Sequence, residues 1–76
     1  MAEYQGCKNW NHWNVSLWVN NDEGLYRMAV ELRNKYNRDE AAKKMLSELN
    51  EMGIYKTDDG APFSVSSIRA AMVEII

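Results

Sequence analysis

Apolar residues recur at helical spacing along two consecutive stretches of the chain, residues 22–36 and 38–52. Residues three and four positions apart share one face of a helix, so this spacing predicts two amphipathic helices with charged opposite faces. The apolar face of the first is formed by Leu25, Met28, Ala29, Leu32 and Tyr36. That of the second is formed by Ala41, Ala42, Met45, Leu46, Leu49 and Met52.

Polar residues and a glycine indicate where these two helices begin and end. Asn20 is followed three positions later by Glu23, which matches a capping box at the start of the first helix. Asn37 and Glu40 have the same spacing before the second. Gly53 follows the last apolar position of the second helix, where a left-handed residue commonly ends a helix.

The segment 9–20 fits two patterns. A helical stripe would contain Trp10, Trp13 or Asn14, Leu17 and Trp18, whereas strand alternation would contain Trp13, Val15, Leu17 and Val19. We favour a helix, because the segment leads directly into a helix start.

Residues 54–63 have the pattern of a turn. Asp59-Gly60 between short apolar segments predicts a small β-hairpin or tight loop, and Pro62 keeps any strand there short. Ser64 can cap a last helix that runs to about residue 75. The sequence therefore predicts one small, mainly α domain over residues 1–76. We expect an irregular lead-in at 1–8 and four short helices at 9–20, 22–36, 38–52 and 64–75.

The aromatic content suggests how so short a chain could be stabilised. A domain of this size buries only roughly 60% of the surface that its unfolded chain exposes, so its stability depends on burying large apolar side chains. We expect a core built on Trp10, Trp13 and Trp18, and we expect the methionines on helical faces to pack in it. Three tryptophans within nine residues cannot all point the same way, so the alternative to full burial is that one ring is partly exposed. Trp10 is our candidate for an anchor that binds a partner.

The charge is mildly acidic, with 9 Lys and Arg against 11 Asp and Glu and a net of −2. Residues 1–38 carry five basic and four acidic residues, and residues 39–76 carry four and seven. Neither half is a basic patch, so charge disfavours nucleic acid as a partner. The first residues lack a signal-peptide pattern, and no apolar run approaches the roughly 20 residues that span a bilayer. We expect a cytoplasmic protein with no membrane partner.

Reactive groups are scarce. His12 and Cys7 are the only residues of their types, which excludes an internal disulfide and leaves no evident nucleophile and base pair. The acidic pairs at 22–23 and 58–59 lack the alternating oxygen ligands of a calcium loop. Gly60 alone provides no phosphate-binding loop. We expect no enzymatic activity, no metal and no cofactor.

The string Trp13-Asn14-Val15-x-Leu17-Trp18, within residues 4–30, resembles a family of small uncharacterised proteins of phages, archaeal viruses and plasmids. The resemblance implies a mobile-element origin. Small, acidic, non-enzymatic proteins of such genomes often block host defence nucleases, including CRISPR effectors and restriction enzymes.

Residues 44–54 and 60–69 are similar to the DNA-binding region of large serine recombinases. There, a helix ending Leu-Asn-x-x-Gly-Ile leads through a short turn to a helix starting Ser-x-Ser-Ser-Val-Arg. The resemblance implies that DNA would be contacted by Ser64, Ser66, Ser67 and Arg69. The chain departs from the recombinase pattern in the turn, where acidic residues stand in place of basic ones.

Together these observations favour a protein-binding module, specifically an inhibitor of a host defence complex in the cytoplasm of the host cell. The candidate partner-binding residues are Trp10, Glu48, Glu51, Asp58 and Asp59, and the acidic ones would meet a basic surface. The alternative is a small DNA-binding accessory protein or regulator that uses the last helix. A homodimer that covers surplus aromatic surface is a third interpretation.

Overall fold

The computed structural model describes residues 9–75, and four α-helices follow one another along this part of the chain. They are α1 (Trp10–Asn21), α2 (Glu23–Lys35), α3 (Arg38–Glu51) and α4 (Val65–Ala71), and a 3₁₀ turn (Met72–Glu74) follows the last. The described residues contain no strand. The mainly α fold is confirmed, and the segment 9–20 is helical. The lead-in at 1–8, which includes Cys7, lies outside the described residues.

The junction between α1 and α2 lies at Asp22, whose side chain accepts a 3.0 Å hydrogen bond from the amide of Leu25. The predicted capping box at Asn20 and Glu23 is therefore wrong. Asn20 lies inside α1, where its side-chain amide donates to the carbonyl of Ser16 at 2.8 Å. The helix continues beyond Asn20, so the first extended backbone that can cap α2 occurs at Asp22.

The predicted ends of α3 are confirmed. The side chain of Asn37 caps its start. Gly53 follows its end with a φ of 80°, and its amide donates to the carbonyl of Asn50 at 3.0 Å. The amide of Ile54 donates to the carbonyl of Leu49 at 2.8 Å. This pair of bonds is the Schellman motif, which requires a left-handed residue and therefore favours glycine.

The core consists mainly of small and branched side chains. Its apolar members are Val15, Val19, Ala29, Leu32, Ala41, Ala42, Met45, Leu49, Ala61, Phe63, Ile68, Ala71, Met72 and Ile75. These side chains let α1 pack closely against α4 and against α2, while α3 covers α2 and α4.

The prediction of a tryptophan core is wrong. Trp10 is 38% exposed, and Trp13 and Trp18 are half-buried. Val15 and Val19 face the core from α1. At 3.6 residues per turn, Trp10 and Trp13 are rotated by about 140–160° from Val15, so their rings fall on other sides of the helix.

The methionines divide into two groups. Met45 and Met72 are fully buried and Met28 is half-buried, which confirms their predicted packing. Met52 is 57% exposed, so its predicted place in the core is wrong. The reason is that Met52 follows the end of α3 and lines an open groove, where no helix within the described residues covers it.

Candidate functional site

The loop 54–63 is held in a tight turn by its own backbone. The amide of Thr57 donates to the carbonyl of Ala61 at 2.8 Å, and the amide of Gly60 donates to the carbonyl of Thr57 at 2.9 Å. Gly60 has a φ of 98°, which an L-residue adopts only with strain. Since no strand flanks the turn among the described residues, the loop matches the tight-loop form of the prediction.

Asn14 of α1 fastens this loop to the helices. Its buried side-chain oxygen accepts from the hydroxyl of Thr57 at 2.6 Å, and the same hydroxyl accepts from the amide of Ala61 at 3.0 Å. Its side-chain nitrogen donates to Oδ2 of Asp59 at 2.9 Å, and Nε1 of Trp18 donates to the same oxygen at 3.1 Å. The Trp-Asn-Val-x-Leu-Trp string therefore holds the turn in place.

These hydrogen bonds change the acidity of Asp59. The bond from Asn14, followed by the bond from Trp18, lowers the pKa of the Asp59 carboxyl below its ordinary value. Partial loss of water around the carboxyl opposes this effect. Donors that point at an oxygen favour its charged form, so Asp59 is held as a carboxylate facing α1.

An apolar groove lies beside the same loop, between the start of α2 and the end of α3. Its volume is about 630 Å³. The buried or half-buried apolar residues that line it are Trp18, Leu25, Met28, Leu49 and Phe63. Three apolar residues of its lining are exposed to solvent: Met52 at 57%, Ile54 at 37% and Tyr55 at 62%. Such a surface is typical of a site that another molecule covers.

The rim of the groove is mainly acidic. Asp22 and Asp58 line it, and Glu51 is exposed directly before Met52. Lys56 is the one basic residue among the described residues of its lining. An apolar groove with this rim suits a ligand that carries both apolar side chains and positive charge.

The five predicted partner-binding residues do not form one surface. Asp58 lines the groove, and Glu51 is exposed next to Met52 in the sequence but does not line it. Glu48 lines a different, shallow hollow, and Asp59 is bonded to α1. Trp10 is partly exposed but does not line the groove.

The four predicted DNA-contacting residues all have partners within the protein. Ser64 and Ser67 form a reciprocal capping box at the start of α4, and Ser67 is buried. The hydroxyl of Ser66 lies 2.7 Å from Nε2 of His12. Arg69 is paired with a carboxylate of α3. In this arrangement Ser64 and Ser67 cap α4 itself, whereas Ser66 and Arg69 connect α4 to α1 and α3.

Sequence reasoning missed the exposed apolar residues of the groove, Met52, Ile54 and Tyr55. One signal was present: Ile54 and Tyr55 follow the glycine that ends a helix and precede a polar turn. Apolar residues in such a loop have no helical face to share, so they are candidates for exposure.

Among the described residues, no group of three or more His, Cys, Asp and Glu side chains could hold a metal ion. No helix within residues 9–75 has the length and apolar character to cross a membrane. A family model described as "Family of unknown function (DUF7249)" matches residues 1–76. No curated protein and no solved structure matches the chain.

Proposed function

The chain belongs to the DUF7249 family of unknown function, and we propose that it is a non-enzymatic protein-binding module whose groove holds a basic, amphipathic segment of another protein. The observation that supports this most directly is the exposure of Met52, Ile54 and Tyr55 along one groove.

The apolar residues would supply most of the affinity. Covering them removes apolar surface from water, which is the main favourable term in protein association. Tyr55 has the amphipathic ring typical of residues that dominate interface energies, and Met52 is flexible enough to adapt to a partner. Most of the buried and half-buried apolar residues that line the groove already belong to the core or pack against it, so a partner would meet a largely preformed surface.

The rim would select the charge of the partner. Asp22, Glu51 and Asp58 attract lysine and arginine side chains, which raises the association rate more than the final affinity. Binding should therefore weaken as salt is added, because exposed charges are screened beyond a Debye length of about 8–10 Å.

We further propose that the partner is a component of a host defence complex, and that the protein is its inhibitor. The support is the mobile-element resemblance of residues 4–30 together with the net charge of −2. A defence nuclease has a basic surface for its nucleic acid, and an acidic-rimmed groove that covers part of this surface would compete with that ligand.

The binding test uses two synthetic helical peptides with the same apolar spacing, one flanked by lysines and the other by glutamates. Trp18 lines the groove, so its fluorescence reports occupancy. We expect the lysine peptide to bind more tightly, and we expect Asp58→Lys to weaken that binding. Equal binding of both peptides would contradict the proposed charge selection.

A matched pair of variants tests the groove itself. Met52 and Val73 are both 57% exposed, but only Met52 lines the groove. Met52→Ala and Tyr55→Ala should each weaken peptide binding severalfold, and Val73→Ala should leave it unchanged. The inhibitor proposal is tested separately, by adding the protein to purified restriction and CRISPR nucleases and measuring DNA cleavage.

A further inference from the structure

The positive charge of the protein is concentrated where α2 turns into α3. Five of the nine lysines and arginines lie between residues 33 and 44, namely Arg33, Lys35, Arg38, Lys43 and Lys44. The same segment contains two acidic residues, so its formal charge is +3 in a chain whose net charge is −2. We call residues 33–44 the basic corner.

Side chains from both helices meet at an aromatic ring in this corner. A shallow hollow of about 310 Å³ is lined by Leu32, Lys35, Tyr36, Lys44, Ser47 and Glu48. The ammonium nitrogen of Lys44 lies 4.9 Å from the centre of the Tyr36 ring, and that ring is 37% exposed. The hollow thus combines two lysines with an aromatic surface that solvent can reach.

The acidic residues of the corner already have partners. Asp39 is paired with Arg69 of α4, and Glu40 lies 3.9 Å from Lys43. By contrast, four cations of the corner have no carboxylate within 4.0 Å in residues 9–75: Arg33, Lys35, Arg38 and Lys44. Glu48 is the one carboxylate among the described residues that line the hollow. The corner therefore retains an excess of uncompensated positive charge.

We propose that the basic corner binds single-stranded nucleic acid. Its cations would contact backbone phosphates, and Tyr36 would stack against a base. Grooves that hold single strands combine these two features, since every base offers a face for stacking. The corner spans a two-residue connection between helices and suits a few nucleotides of a flexible strand better than a long rigid duplex.

This proposal is independent of the groove and goes beyond the function proposed for it. The corner lies at the start of α3 and the groove at its end, and the 14 residues of α3 span about 20 Å at 1.5 Å per residue. A strand at Tyr36 and a peptide at Tyr55 would therefore not compete for the same atoms.

The test is a fluorescence-anisotropy titration of the full chain against a labelled oligo-dT of 12 nucleotides, repeated over a range of salt concentrations. Three or four phosphate contacts predict a slope of log K against log salt of about −2 to −3 for a single strand. No binding at low salt would overturn the proposal. A slope near zero would do so as well.

Variants locate the site. Lys44→Glu should lower the affinity severalfold, and Lys56→Glu, which changes the net charge by the same amount at an exposed lysine of the groove, should lower it much less. Equal losses in the two would show that only overall charge matters and would overturn the proposed location. Circular dichroism confirms that each variant is folded.

A second comparison isolates the stacking role. Tyr36→Ala should weaken binding to the oligo-dT, but it should have little effect on a strand of the same length that lacks bases. Equal effects on both strands would contradict stacking. Anionic lipid vesicles test the alternative partner, a membrane surface. The corner would be assigned to membranes if the protein bound vesicles as tightly as the oligonucleotide and if Tyr36→Ala left the affinity for vesicles unchanged.

Discussion

Asn14 and Asp59 lie 45 positions apart in the sequence and are joined by a hydrogen bond of 2.9 Å. Asn14 is almost completely buried, and it also accepts a hydrogen bond from Thr57. One amide therefore uses both its donor and its acceptor on the loop, which Trp18 of the same helix also contacts through Asp59.

Replacing this amide should destabilise the protein. Asn14→Ala leaves the buried hydroxyl of Thr57 without its acceptor on α1, and an unsatisfied buried group costs about 1–3 kcal/mol. Asp59 would keep only its bond from Trp18. Urea unfolding monitored by circular dichroism measures the loss. The control is Asn11→Ala, an exposed asparagine of the same helix, which should change the free energy of unfolding by about 0.5 kcal/mol or less. Equal effects of the two substitutions would contradict this role.

The adjacent carboxylates Asp58 and Asp59 should behave differently. Asp59→Ala removes the acceptor of Asn14 and Trp18, so we expect a lower melting temperature and a change in tryptophan emission. Asp58→Ala should alter neither, because Asp58 is exposed and faces the groove. Since charge reversal at Asp59 would also disturb the fold, Asp58→Lys alone is the clean test of the acidic rim. Identical melting curves for the two alanine variants would refute the distinction.

The stabilising effect of Asp59 should depend on pH. Hydrogen bonds from Asn14 and then from Trp18 lower its pKa in the folded protein, while the unfolded value is about 3.9. The contribution is thus complete above pH 4 and is lost as the pH falls through the lower folded value. The difference in melting temperature between the natural protein and Asp59→Ala should shrink as the pH is lowered from 5 to 2. A difference that stays constant over this range would be inconsistent with the pKa shift.

Two methionines seven positions apart, Met45 inside α3 and Met52 directly after it, should differ in their effect on stability. Met45 is fully buried, so Met45→Ala should cost about 2–5 kcal/mol through lost contacts and a cavity. Met52→Ala should be nearly neutral, because that side chain is largely exposed. Chemical denaturation of the two variants gives the comparison. A large loss from Met52→Ala would instead indicate that its side chain packs in the folded protein.

Local signals were sufficient to predict the helices. Apolar spacing placed α2 and α3 to within a few residues, whereas it fitted both helix and strand at α1. Asn37, Gly53 and Ser64 were identified as end signals because a cap acts on its own turn. The last helix is shorter than predicted: its α-helical part ends at Ala71, and a 3₁₀ turn replaces its final turn.

The candidate site was less predictable, because it depends on contacts between distant segments. Nothing near Asp59 in the sequence indicates that Asn14 will bond to it. The net charges of residues 1–38 and 39–76 also concealed the basic corner, because Arg38 falls in the first range and Lys43 in the second. Net charge summed over about a dozen residues at a time would have revealed the cluster.

The packing of α1 against α4 has a consequence for how the protein is made. On the ribosome α1 emerges first, yet the helix that covers it is the last of the four to be synthesised. Until then, α1 has α2 to pack against, and the part of the α1 surface that α4 covers stays exposed. The native packing around Val15 and Val19 therefore requires the last helix of the four.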